Sequence, residues 1–347
     1  MHNRRILFAV ALFAVAAFSV MSVCGADTYS QYEDALGITY TLNETNRTAS
    51  VGTGSTEYCN SGFTASSVSI PASVTKGGVT YTVNAVSYNA FSHSDTLVSV
   101  VLPDSVVNIE NCAFFDCQKL ATVTFGSGLK KIGASAFAGC VVLNNVTIPA
   151  TVNEIGYSAF YNCKALTEIV IPEGVAKIGN RTFALNQNLS RVSLPSTVTV
   201  LEDGAFNGCT SLTAVTLPKN STSIGEMVFG GCTALEDMIV YKSLSTVGDN
   251  SFWNCDNLTV YIQQETPALS VVKNSADYRL MGDADGDYNV GLSDIYYIMK
   301  HILVPDVLAM DYAQNVVSDV QRDSNISLKD VITMMQYLAN RDTVILG

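Results

Sequence analysis

Phenylalanine recurs every 23 residues, at positions 91, 114, 137, 160, 183, 206, 229 and 252, without a slip. Leucine keeps the same step six residues later, at 97, 120, 143, 166, 189, 212, 235 and 258. An aliphatic column runs through Ile109, Ile132, Ile155, Ile178, Leu201, Ile224 and Val247, and a proline column through Pro103, Pro149, Pro172, Pro195 and Pro218. A unit of 23 residues cannot bury its own apolar face, so successive units have to stack and share one core. The period therefore predicts a solenoid of about eight coils between Val68 and Ile262.

Within each unit the residues after the leucine alternate, as in Val146-Thr147-Ile148 and Val215-Thr216-Leu217, which reads as a short strand closed by proline. Stacked strands would form a parallel sheet, and at about 4.8 Å per strand eight coils extend on the order of 40 Å. The Ile-Gly-x-x-Ala-Phe-x-x-Cys stretch supplies a turn and a tight bend. Gly133, Gly156, Gly179, Gly225 and Gly248 are expected there because side chains would crowd or φ must be positive. Taken together, these elements resemble the BspA-type leucine-rich repeat. The resemblance implies a leucine-rich-repeat solenoid, a parallel β-sheet joined by turns and short helical segments.

The first copy carries an extra stretch, Thr75 to Tyr81, centred on Lys76-Gly77-Gly78, which reads as a β-hairpin. Upstream, Ile38 to Leu42 and Thr48 to Val51 flank a polar turn and are expected to cap the open end of the stack. Six of the nine cysteines, Cys117, Cys140, Cys163, Cys209, Cys232 and Cys255, share one repeat position, with Asn186 in the remaining slot. Stacked at about 4.8 Å, neighbours lie within disulfide range, yet a small buried hydrophobe suffices to explain the column, and free thiols are expected. Cys59 and Cys112 stand outside it and can pair only if folding brings them together.

Two acidic segments, Asp283 to Asp294 and Asp319 to Asp330, repeat one oxygen-ligand spacing. Loop positions 1, 3, 5, 7 and 12 hold Asp283, Asp285, Asp287, Asn289 and Asp294 in the first, and Asp319, Gln321, Asp323, Asn325 and Asp330 in the second. This is the order in which an EF-hand loop wraps calcium. Position 6 is Tyr288 or Ser324 instead of glycine, position 12 is Asp instead of Glu, and no amphipathic helix precedes Asp283. What remains is loop then helix, twice. With Gly282-Asp283-Ala284-Asp285-Gly286-Asp287 at its opening, this tail resembles a type I dockerin, a small α-helical domain with two calcium loops. The resemblance implies two calcium ions and a cohesin domain of a scaffold protein as partner. Its cohesin contacts would fall on Leu292, Ser293, Met299 and Lys300, and on the matching Leu328, Lys329, Met335 and Gln336.

The N-terminus, Arg4-Arg5 followed by an apolar run from Ile6 to about Val20 and a small-residue end at Cys24-Gly25-Ala26, reads as a secretory signal. Lipid attachment at Cys24 is the alternative, disfavoured by the bulk of Val23. No later segment is long and apolar enough to span a bilayer. The chain thus divides into a signal peptide (1–26), a β-rich cap (27–67), repeats (68–262), a connector (263–281), the dockerin-like unit (282–340) and a tail (341–347).

A formal charge of −12 excludes nucleic acid as a natural partner. No Ser/His/Asp grouping, zinc-spaced Cys/His cluster or phosphate loop accompanies the three histidines, His2, His93 and His301. Glu154, Glu168, Glu173 and Glu202 vary from coil to coil and read as solvated surface. A solenoid can instead present a different residue on every coil. One outward column holds Ser99, Thr122, Asn145, Glu168, Arg191, Ala214 and Asp237, of which Thr122, Asn145, Glu168, Arg191 and Asp237 are the candidate ligand face for a protein or glycan. The next outward column, Val101, Thr124, Thr147, Val170, Ser193, Thr216 and Ile239, is flat. The expected protein is a secreted, non-catalytic binding or adhesion protein held at the cell surface through a scaffold. The other class left open is a scaffold-borne enzyme or inhibitor acting in polysaccharide degradation.

Overall fold

The computed structural model describes residues 27–54, 64–241 and 243–262, the backbone of 277–280, and positions 294, 295, 298, 299, 326, 327, 329–331 and 334. Six strands build the N-terminal end: β1 (Tyr29–Glu33), β2 (Thr39–Asn43), β3 (Thr48–Val51), β4 (Ser67–Ser69), β5 (Ser73–Lys76) and β6 (Val79–Val86). The first three form an antiparallel meander, and β5 and β6 form the hairpin expected at Lys76-Gly77-Gly78. Strand β3 then pairs parallel to β6, handing the cap over to the repeats.

Each later coil adds a short strand in the frame exposed, buried, exposed, for example Thr122–Thr124, Glu168–Val170 and Arg191–Ser193, paired in parallel. The frame begins one residue earlier than the alternation suggests: Ala214–Thr216, not Val215 to Leu217. The coil around Val146 makes only an isolated bridge, Thr122 to Asn145. A second parallel ladder, not anticipated from the sequence, joins the aliphatic column through two-residue strands such as Asn108–Ile109, Lys131–Ile132 and Glu154–Ile155. No helical segment interrupts residues 64–241. At the other end, Asp277–Leu280, inside the expected connector, pairs parallel with the last repeat strand, Thr259–Ile262.

The turn side carries a third set of inter-coil bonds. Cys112, Phe114 and Asp116 donate their N–H groups to Ala134, Ala136 and Ala138 of the following coil at 2.7 to 2.9 Å. Residues two before and two after the phenylalanine reach these partners with left-handed backbone, as at Cys112 and Asp116, both with φ 55°. The glycines of the repeat column answer the other half of the expectation. A Cβ on Gly156 would lie 2.4 Å from the Ala134 nitrogen, and one on Gly133 2.6 Å from that of Asn111, so at these two coils crowding and not φ demands glycine.

Inside, the eight phenylalanine rings form one stack, with centroids 5.1 to 6.1 Å apart and planes within 8° of parallel. The column cysteines are free and buried, but they are more than small hydrophobes. Each thiol donates to the carbonyl of the previous coil's phenylalanine, Cys140 Sγ to Phe114 O at 3.1 Å and Cys163 Sγ to Phe137 O at 3.2 Å. Asn186 fits the column because its Nδ2 makes the same bond to Phe160 O at 3.0 Å.

Two outcomes are expected. Phe160→Ala removes one ring between Phe137 and Phe183 and should cost about 3–5 kcal/mol in denaturant unfolding; an unchanged midpoint would place the ring outside the core. Burial also pushes the Cys209 thiol up to about 12, and raises those of Cys163 and Cys232. An unfolded thiol titrates near 8.5, so this stabilisation is complete below about pH 8.5 and is lost as pH rises toward the folded value. Urea midpoints at pH 7, 9 and 10.5 should therefore fall less steeply for Cys209→Ala than for the wild type, and identical slopes would refute it.

Candidate functional site

The strand frame aims the first and third residues of each repeat strand at solvent and the second into the core, because successive side chains alternate across a strand. Thr122, Asn145, Glu168, Arg191 and Asp237 accordingly fall in one column, extended by Ser99 and Ala214, with register pairs Ser99 to Thr122, Glu168 to Arg191 and Ala214 to Asp237. The neighbouring column is flatter and partly apolar, with Val101 and Val170 exposed.

The face has two halves. Strand pairing stops at Asn145 and resumes at Glu168. Before the break the outward residues are Ser67, Ser69, Ser99, Thr122 and Thr124, all neutral hydroxyls, together with the exposed Val101, and Ser99 Oγ donates to Ser67 Oγ at 2.7 Å. After it come Glu168, Arg191 and Asp237. Arg191 Nη1 lies 3.7 Å from Glu168 Oε2 with both side chains more than two-thirds exposed, so water screens the pair and leaves it open to a partner.

The glutamates on which a catalytic carboxylate pair would draw are engaged between coils. Glu154 faces Lys131 at 2.6 Å, Glu173 accepts the N–H and hydroxyl of Ser196, and Glu202 accepts Lys177 Nζ at 2.6 Å, which raises the Lys177 pKa. His93 Nδ1 lies 3.0 Å from Asp116 Oδ2, while the neighbouring Ser92 hydroxyl donates to Phe115 O, so no serine–histidine couple forms there. Among the described residues no cluster of three or more His, Cys, Asp or Glu is placed to hold a metal ion.

Of the expected calcium ligands, Asp294 and Asp330 are described; both are helical and fully buried. Asp283, Asp285, Asp287, Asn289, Asp319, Gln321, Asp323 and Asn325 lie outside the described residues, as do the cohesin-contact candidates Leu292, Ser293, Lys300, Leu328, Met335 and Gln336. Met299 is helical and 38% exposed, and Lys329 is exposed. No helix among the described residues is long and apolar enough to cross a membrane.

A stack of 23-residue coils with a shared Phe/Leu/Ile interior and a variable outward column defines a leucine-rich-repeat solenoid. The chain belongs to the BspA type leucine-rich repeat family, whose model matches residues 84–213 and 199–275 in six copies. Among solved structures it is similar to a leucine-rich repeat protein from Bacteroides ovatus, at 30% identity over 70% of this chain and 66% of that one, with a TM-score of 0.58. The match thus spans just under two thirds of the Bacteroides ovatus chain. A leucine rich cell surface protein from Faecalibacterium prausnitzii is 26% identical over 73% of each chain, with a TM-score of 0.57. The Treponema pallidum leucine rich repeat protein is 27% identical over 72% of this chain and 98% of its own, with a TM-score of 0.50. No curated protein matches.

If the Glu168–Arg191 pair is a solvated part of a binding face, Arg191→Ala should lower stability by less than about 1 kcal/mol in thermal unfolding. A larger loss would mean that the pair holds the coils together.

Proposed function

We propose that this is an exported, non-catalytic binding or adhesion protein that engages a protein or glycan through the outward strand column and attaches to a cohesin-bearing scaffold through its calcium-loaded tail. The observation that carries the binding half is chemical variety on an invariant frame: the interior repeats the same side chains coil after coil, while the first outward column changes at every step. Such a face recognises by area and complementarity, with a desolvated centre and a wet rim, and needs no deep pocket. Export rests on the signal-like segment before residue 27, and surface placement accords with the Faecalibacterium prausnitzii relative, described as a cell surface protein.

The tail reading is supported by its internal duplication. Asp294 and Asp330 occupy position 12 of the two loops, and both are buried on a helix. The apolar helical residues that follow them also correspond pairwise, Ile295 with Val331 and Ile298 with Met334, all buried. In the second copy Ser327 caps the helix, its N–H donating to Asp330 Oδ2 at 2.8 Å, which fixes that carboxylate on the first turn. A buried carboxylate favours a positive partner, and the donor set is oxygen throughout, the chemistry a hard dication selects. Calcium would offset much of the repulsion among each loop's carboxylates and let the loop fold against its helix.

Calorimetric titration of the chelator-stripped full chain should reveal two calcium sites, of which Asp294→Ala removes one; absence of binding would overturn the metal reading. Capture on a panel of cohesin domains should be lost in the double variant Leu292→Asp, Leu328→Asp with calcium binding retained, and reduced in either single variant. Full capture by the double variant would take these residues out of the interface. Hydrolysis of any polysaccharide by the full chain would overturn the non-catalytic reading.

A further inference from the structure

A concavity of about 340 Å³ opens beside the second ladder, away from the outward strand column, lined by Tyr88, Asn108, Ile109, Glu110, Asn111 and Lys131. That volume is at the lower end of small-molecule sites. It exists because the repeat departs from its own pattern here. Glu110 occupies a position that is glycine in five other coils and glutamate in one, Glu202. Both glutamates use Oε2 alike, accepting the N–H of Tyr88 and of Asn180 at 3.0 Å. At Glu202 the other oxygen is taken by Lys177 Nζ at 2.6 Å. The residue that matches Lys177 beside Glu110 is Ala85, so the first coil supplies no such lysine.

The following coil does not fill the space either. It contributes Gly133 and the buried Ala134, whose N–H donates to Asn111 Oδ1 at 2.8 Å, while Lys131 reaches to Glu154 at 2.6 Å. The carboxylate of Glu110 and the carboxamide of Asn111 are therefore oriented by backbone N–H groups before any ligand arrives, which lowers the ordering cost of binding.

The lining selects its ligand by charge. Glu110 opposes an anion and Lys131 opposes a cation. What the set offers is one aromatic ring, two carboxamides, and a donor and an acceptor of opposite charge, which together suit a neutral molecule dense in hydroxyls. We propose that this concavity is a subsite for a single neutral pyranose unit, one face against Tyr88 and its hydroxyls shared among Asn108, Glu110 and Asn111. The subsite is separate from the strand face, and neither reading depends on the other.

Saturation-transfer NMR of the full chain with glucose, galactose, N-acetylglucosamine and N-acetylgalactosamine, each alone, tests it. At least one sugar should show transfer with millimolar affinity, at least tenfold weaker in Tyr88→Ala and in Asn108→Ala. Tyr157→Ala, which removes an exposed tyrosine of the same column three coils on, should bind as the wild type does. Melting temperatures measured alongside separate a lost site from a lost fold, and Asn108, exposed and without a core role, guards against the latter. Absence of transfer from all four sugars overturns the subsite, and so does transfer that survives both Asn108→Ala and Tyr88→Ala.

Discussion

The carbonyl of each repeat phenylalanine is where one coil is joined to the next. Buried backbone oxygens must find donors, and at Phe91, Phe114, Phe137, Phe206 and Phe229 this one takes two: the N–H three residues on, as Cys117 N to Phe114 O, and the thiol from the following coil, as Cys140 Sγ to Phe114 O. The ring of the same residue stacks on its neighbours. Backbone, thiol and ring thus demand one fixed offset between coils, 26 residues from each phenylalanine to the donor that satisfies it. A single insertion would uncouple all three at once, and the strand registers on the opposite side follow from the same offset. Asn186 shows which part of the demand is strict. It keeps the donor but brings an extra oxygen, Oδ1, for which the interior has no partner, a cost of about 1–3 kcal/mol for an unsatisfied buried polar atom.

That rigidity is what frees the surface. Because the interior and the turn side hold the coils in place, the outward strand residues contribute little to stability, as the exposed Glu168–Arg191 pair illustrates. They can differ from coil to coil without changing the fold. The interruption at Asn145 then separates a hydroxyl-rich half of the face from a charged half.

Most of this frame is legible in the sequence because identical side chains mark it: Phe, Leu, Ile and Cys each keep one column. The hairpin at Lys76-Gly77-Gly78 and the strands before it are legible for the same kind of reason, a turn signal between alternating residues. Two-residue strands such as Lys131–Ile132 are too short to show an alternation, so the second ladder is not. The thiol's role as a donor is hidden by the hydrophobic character of cysteine, although Asn186 in the same column was the clue. The strand Asp277–Leu280 escapes because it follows its partner by 18 residues and breaks the period. The groove at Glu110 is invisible for a different reason: it arises from what Ala85, Gly133 and Ala134 leave out, and periodicity registers only what recurs.

The forward-pointing N–H groups of the turn side make the stack directional. From Cys112 to Ala134, and again from Ser158 to Asn180, every such bond runs from an earlier coil to a later one. The two ends of the rod are therefore chemically opposite along that side, acceptors at the start and donors at the finish. A terminator suited to the turn side of one end cannot serve that of the other. Two such rods could continue one another along that side only head to tail, an association that does not close on itself.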